Sequence, residues 1–163
     1  MRTIPALVWA MIIVVSPSTR AIAQDTKTVN AATKELIALG QPLDATYTNL
    51  NEMSETVSDT EYAKIQLALN GIERVRASVT QLFMVSSIFT AMRDQRDINT
   101  VRRYLSLACK AAGETIAAAS GVANKTLSRL ISPALVQEVT KARDQLDQIN
   151  RSKLCKIVPA WKS

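Results

Sequence analysis

The chain is predicted to be all-α, an antiparallel bundle of four or five helices with two long central ones and one disulfide, on three observations. Glycine and proline are scarce, four and five in 163 residues. The segments between them are rich in alanine, leucine, glutamine and arginine, residues that lose little on entering a helix. Apolar residues recur at alternating steps of three and four, the repeat of a single helix face, and not at steps of two.

The amino-terminal stretch stands apart from this pattern. Arg2 leads into the apolar run Ile4 to Val15, followed by Ser16, Pro17 and Ser18, then by Ala21, Ile22 and Ala23 before Gln24. That is the layout of a secretory signal peptide with a small-x-small cleavage site. The run is twelve residues long, against the roughly twenty needed to cross a bilayer, so cleavage near Ala23 is expected over retention as an anchor. The domain reading is therefore a signal peptide at 1–23, a helical bundle at 24–158 and a flexible basic tail at 159–163. The expected location is extracytoplasmic, in a periplasm or secreted.

A first helix is predicted from Lys27 to Leu39, with Val29, Ala32, Leu36 and Leu39 on one face. Gly40, Gln41 and Pro42 should stop it. A second begins near Asp44, whose side chain can accept from the free N–H groups of a first turn, and carries Tyr47, Leu50 and Val57. Ser58 to Glu61 has the form of a capping box, but with no glycine or proline there, both a break and a continuation stay open. Ile65, Ala68, Ile72, Val75, Val79, Leu82, Ser86 and Phe89 then form the strongest stripe in the chain. It suits a coiled-coil-like seam, buried within the bundle or against a second copy in a homodimer.

Past Met92 that register meets Arg93, Arg96, Thr100 and Arg103, so a polar turn is expected at Arg93 to Asp97. A new stripe opens at Ile98, Val101, Leu105, Ala108 and Ala112 and reaches Ala123, Leu127 and Leu130. Its small residues, Ala111 to Gly113 and Ala117 to Gly121, suit close approach of a neighbouring helix. Ser132 and Pro133 read as an N-cap followed by proline at the first helical position, where a missing N–H does no harm. The last helix presents Leu135, Val139, Ala142, Leu146 and Ile149.

Two cysteines, Cys109 and Cys155, are the whole complement, and in an exported chain they should pair. Cys109 lies 23 residues before Ser132 and Cys155 lies 23 after it. A helical hairpin turning at Ser132 would therefore bring the two sulfurs level, about 35 Å from the turn at 1.5 Å per residue.

Charge is unevenly distributed. From Gln24 to Asn70 seven acids face three bases, and from Gly71 onward fifteen bases face seven acids, giving −4 and +8. The arrangement suits pairing of early acids with later bases, and it leaves cations for an outside anionic partner. Arg96, Arg103 and Lys110 recur every seven residues with Arg102 adjacent, aligning on one helix face. Arg151, Lys153, Lys156 and Lys162 gather near Trp161 at the other end of the chain. Lipid phosphates, an anionic envelope polymer or an acidic protein would suit either group, and a tryptophan beside lysines suits peripheral membrane contact. Nucleic acid is not expected, since the few aromatics are too scattered to form a stacking platform.

The chain contains no histidine, which excludes Ser-His-Asp and Cys-His catalysis and the usual haem, di-iron and zinc sites of helical bundles. Its glycines are too far apart to cradle a phosphate. Glu52 with Glu55 and Asp59 with Glu61 are carboxylate pairs of the kind that decorates a solvated helix surface, whereas glycoside hydrolysis needs carboxylates held across a cleft. Neither enzyme activity, nor a cofactor, nor a metal is expected. The function these features imply is that of an exported, non-enzymatic helical protein acting through protein or cell-envelope surface contacts. The alternatives are a small-molecule carrier with an apolar cavity beside Ala111 to Ala119, and a membrane-active secreted factor using Leu82 to Phe89 or the basic tail.

Overall fold

A computed structural model describes residues 17–92 and 95–157. Most of the expected leader and the tail bearing Trp161 and Lys162 lie outside the described residues. The chain forms α1 (Pro17–Ser54), α2 (Asp59–Ala91), α3 (Gln95–Leu127), α4 (Pro133–Asn150) and a single turn, α5 (Leu154–Ile157). The bundle and its disulfide agree with the sequence-based expectation. α1 packs on α2, α2 on α3, α3 on α4, and α4 back on α1, closing a ring of four helices. Neighbours run antiparallel: Gly40 meets Val79 and Asp44 meets Arg76 across α1 and α2, while Gly71 meets Ala119 and Lys64 meets Thr126 across α2 and α3.

α1 departs from expectation. Gly40, Gln41 and Pro42 do not end a helix but lie inside one of 38 residues. Val29, Leu36, Leu43 and Leu50 are spaced by seven and are each at most 1% exposed, so the apolar faces on either side of the proline are in phase and belong to one stripe. Burying each such side chain stabilises by about 1.5–3 kcal/mol, enough to outweigh a proline inside the helix, which costs about 3 kcal/mol. The position also limits the damage. Pro42 cannot donate to the Ala38 carbonyl, but both residues are exposed, and water can satisfy that oxygen.

The serine half of the capping box at Ser58 forms, and the Glu61 carboxylate accepts from the Ser58 hydroxyl at 3.4 Å. Ser58 is the N-cap of α2, with the Glu61 N–H donating to its Oγ at 3.4 Å, so the chain does break there. The predicted stripe of α2 faces inward: Ile65, Ala68, Ile72, Val75, Leu82, Ser86 and Phe89 are buried. Ser86 is accommodated by donating to the Phe83 carbonyl at 2.9 Å. That seam is filled by the protein's own helices, which leaves none of it for a second copy.

α3 starts at Gln95, earlier than the expected stripe at Ile98, and ends at Leu127. Its small residues serve close packing. A methyl group on Gly71 would lie 3.3 Å from the Cβ of Ala119 and 3.4 Å from its Cα, so α2 and α3 approach as nearly as backbone allows. Ser132 and Pro133 start α4 as expected, although the Ser132 side chain makes no cap hydrogen bond. The helix ends at Asn150, where Arg151 to Lys153 turn the chain so that Leu154 enters the core, fully buried. α5 then carries Cys155 to Cys109, with the two Cα atoms 5.4 Å apart.

Two stability measurements follow. Replacing Cys109 and Cys155 together by serine should lower unfolding free energy in urea by about 4 kcal/mol, the chain-entropy value for a loop of this length. Pro42→Ala should raise it by roughly 1–3 kcal/mol, because the helix is already continuous and regains a donor to Ala38.

Candidate functional site

The disulfide brings together the two basic groups that are separated in the sequence. Lys110 follows Cys109 on α3, and Lys156 follows Cys155 on α5, so both lysines flank one sulfur bridge. Arg103 lies two turns before Lys110 on the same helix, and Arg151 and Lys153 sit in the turn leading into α5. Arg103, Lys110, Arg151, Lys153 and Lys156 are all exposed. Sequence spacing alone placed the two groups on separate elements, and the bridge makes them neighbours.

The structure sorts these cations by partner. Arg102 is a tie within the fold: its guanidinium bonds the Asp25 carboxylate of α1, reaches Asn99 Oδ1 at 3.4 Å and lies 6.0 Å from the centre of the Phe89 ring. Lys153 is paired with Glu35 of α1 at 3.3 Å. Among the described residues, Arg103, Lys110, Arg151 and Lys156 meet no carboxylate within ion-pair distance. Arg96 lies in the first turn of α3 and Trp161 outside the described residues. The cation face is thus narrower than the sequence suggested, centred on Lys110 and Lys156.

The uneven charge has a structural use. Asp25, Glu35 and Asp44, all from the acidic early segment, meet Arg102, Lys153 and Arg76 from the basic later one. Arg76 also stacks 5.0 Å from the Tyr47 ring centre. The exposed pairs among these contribute little individually, but each links two different elements.

Glu61 carries a role that the sequence did not reveal. Its Oε1 accepts from the backbone N–H of Ile131 at 3.1 Å and of Ser132 at 3.3 Å. One carboxylate therefore accepts from the Ser58 hydroxyl at the start of α2 and from the two backbone N–H groups that lead into α4. Those backbone donors hold its carboxyl below the usual range, chiefly through Ile131 and Ser132. One turn on, Lys64 Nζ donates to the Arg129 carbonyl at 3.0 Å.

Three half-open surface grooves complete the picture. One of about 550 Å³ lies between α1 and α2 beside Gly40, with Asp44, Glu73 and Arg76 at its rim. Two more, of about 510 and 420 Å³, follow each other along the outer seam of α2 and α3. They are bordered by Leu67, Ile88, Tyr104 and Leu107, which are 48–63% exposed. Leu67, Tyr104 and Leu107 were missed because they lie off the core stripe, whereas Ile88 falls in the apolar Leu82 to Phe89 region already marked in the sequence. The available signal was their phase: they are apolar, yet fall one or two positions from the buried face of each helix.

Among the described residues no group of His, Cys, Asp and Glu is arranged to hold a metal, and no helix is long and apolar enough to cross a membrane. Fold and surface together define a disulfide-closed, up-and-down four-helix bundle with a small cationic face and an apolar outer seam. No protein-family model matches the chain, and neither a curated protein nor a solved structure matches it.

The Glu61 contacts have a pH signature. A carboxyl whose pKa is lowered on folding adds stability that is complete above its unfolded value near 4.5 and is lost as pH falls through the folded value. Glu61→Gln should therefore lower the melting temperature most at neutral pH. The gap to the parent protein should shrink as the pH of successive thermal scans drops below that range.

Proposed function

We propose that this is an exported, non-enzymatic protein that acts by holding an anionic component of the cell envelope, lipid or protein, against the face around its disulfide. The carrying observation is that Lys110 and Lys156, far apart in the sequence, flank one covalent bridge while exposed and, among the described residues, outside ion-pair distance of a carboxylate. A patch of this kind attracts polyanions without needing a pocket. The leader-like first segment supports export, and a disulfide is compatible with an extracytoplasmic location.

The carrier alternative has less support at the place expected for it. The run Ala111 to Ala119 lets α2 and α3 pack closely at Gly71 and Ala119, and the grooves beside it open to solvent.

The test is co-sedimentation with vesicles rich in phosphatidylglycerol. Each lysine near such a surface contributes about 1 kcal/mol, so Lys110→Gln with Lys156→Gln should weaken binding about 30-fold. Binding by the parent protein should fade as salt rises from 0.1 M to about 1 M, where the screening length drops from about 10 Å to about 3 Å. The same double substitution should leave the urea midpoint unchanged. Equal binding by parent and variant would remove the proposal.

A further inference from the structure

We infer that the outer seam of α2 and α3 is a two-fold interface with a second copy of this chain. This goes beyond the proposed anionic contact, which uses another set of residues. The seam is an exposed apolar strip: Ile88 on α2 lies level with Tyr104 on α3, with Leu107 one turn along, as the facing pair Phe89 and Arg102 fixes the register. Tyr104 and Leu107 are 62% and 63% exposed. The groove there is bordered by uncharged residues, whereas the adjoining groove has one base, Arg74, and one acid, Glu114.

Those two charges select the geometry. Arg74 comes from α2 and Glu114 from α3, and they lie within about one helical turn of the same level, as the facing pair Gly71 and Ala119 shows. Two copies can meet face to face about an axis running across the hairpin or along it. An axis across it stacks α2 on α2: passing at the level of Arg74 it sets like charges together and offsets the apolar ends, and passing through the uncharged groove it leaves Arg74 and Glu114 without a partner in the contact. An axis along it lays α2 over the partner's α3. Arg74 then meets the partner's Glu114, Glu114 meets the partner's Arg74, and Ile88 meets the partner's Tyr104. The face is complementary to itself in that orientation, as an isologous contact requires.

The size is sufficient. Leu67 to Ile88 spans about 33 Å of helix, and two helices about 10 Å apart present a strip roughly 20 Å wide. The two copies together would bury roughly 1,300 Å², within the range of specific interfaces.

The experiment measures the mass of the purified, oxidised protein by sedimentation equilibrium, with charge variants in parallel. The parent should have twice the monomer mass. Arg74→Glu alone and Glu114→Arg alone should each weaken self-association about tenfold, and the double exchange should restore it. Ile88→Asp, at a half-exposed site, should give a monomer with unchanged far-UV circular dichroism. Mixing Ile88→Cys with Tyr104→Cys should yield a disulfide-linked dimer that neither forms alone. A monomeric parent at the highest soluble concentration would overturn the inference, even if the protein partitions onto vesicles through this seam. Failure of the double exchange to restore association would overturn it as well. Neither result bears on Lys110 and Lys156, whose vesicle binding is read separately.

Discussion

Closing the four-helix ring depends on α4, which has 18 residues where its neighbours have 33 to 38. A helix this short is marginal by itself, because nucleation is unfavourable and few turns follow to offset it. It is held at both ends. At its start the Glu61 carboxylate takes the N–H groups of Ile131 and Ser132. Just beyond its end Leu154 enters the core and Cys155 is bonded to α3. Between these fixed points Leu135, Val139, Leu146 and Ile149 need only fill the space between α1 and α3, and all are at most 1% exposed.

The same closure gives the surface its form. Without the bridge, Lys110 belongs to α3 and Lys156 to a single terminal turn held only by the burial of Leu154 and the Lys153–Glu35 pair. With the bridge they belong to one surface. Farther along, where α4 no longer reaches, Arg102 bonds Asp25 and ties α3 to α1 directly. Such ties take up Arg76, Arg102 and Lys153 of the later bases, while other described cations, Arg74, Lys125 and Arg129 among them, stay exposed elsewhere on the bundle. The face at the bridge is set apart by the meeting of two chain segments there, not by being the one place where bases remain.

How far the structure was legible depended on whether a property was local and periodic. The stripes of α2 and α4, the N-cap serine at Ser58 and the proline at the start of α4 follow from spacing and side-chain type, which act within one or two turns. The Cys109 to Cys155 pairing was legible for a different reason, since no other cysteine competes. α1 was misread because Gly40 to Pro42 has the local character of a stop. Only the burial of Leu36 against one stretch and Leu43 and Leu50 against the next shows that the two faces are one. Glu61 was equally hidden. As half of a capping box it has a sufficient local role, and nothing near it in the chain announces that Ile131 and Ser132, seventy residues away, will turn their N–H groups toward it.

The amino-acid sequence by itself determined that this chain is helical, where α4 begins and roughly where α2 gives way to α3, which faces the helices bury and which two sulfurs join. Those are consequences of backbone preference, apolar period and elimination, and they act along the chain. Tertiary structure alone decided that α1 runs unbroken through a proline, that one carboxylate lies at two helix starts, and that basic residues of α3 and of the turn at Cys155 share a face. Each of these depends on what another segment places alongside, and the free energy of burial between segments exceeds the local preference that it overrides.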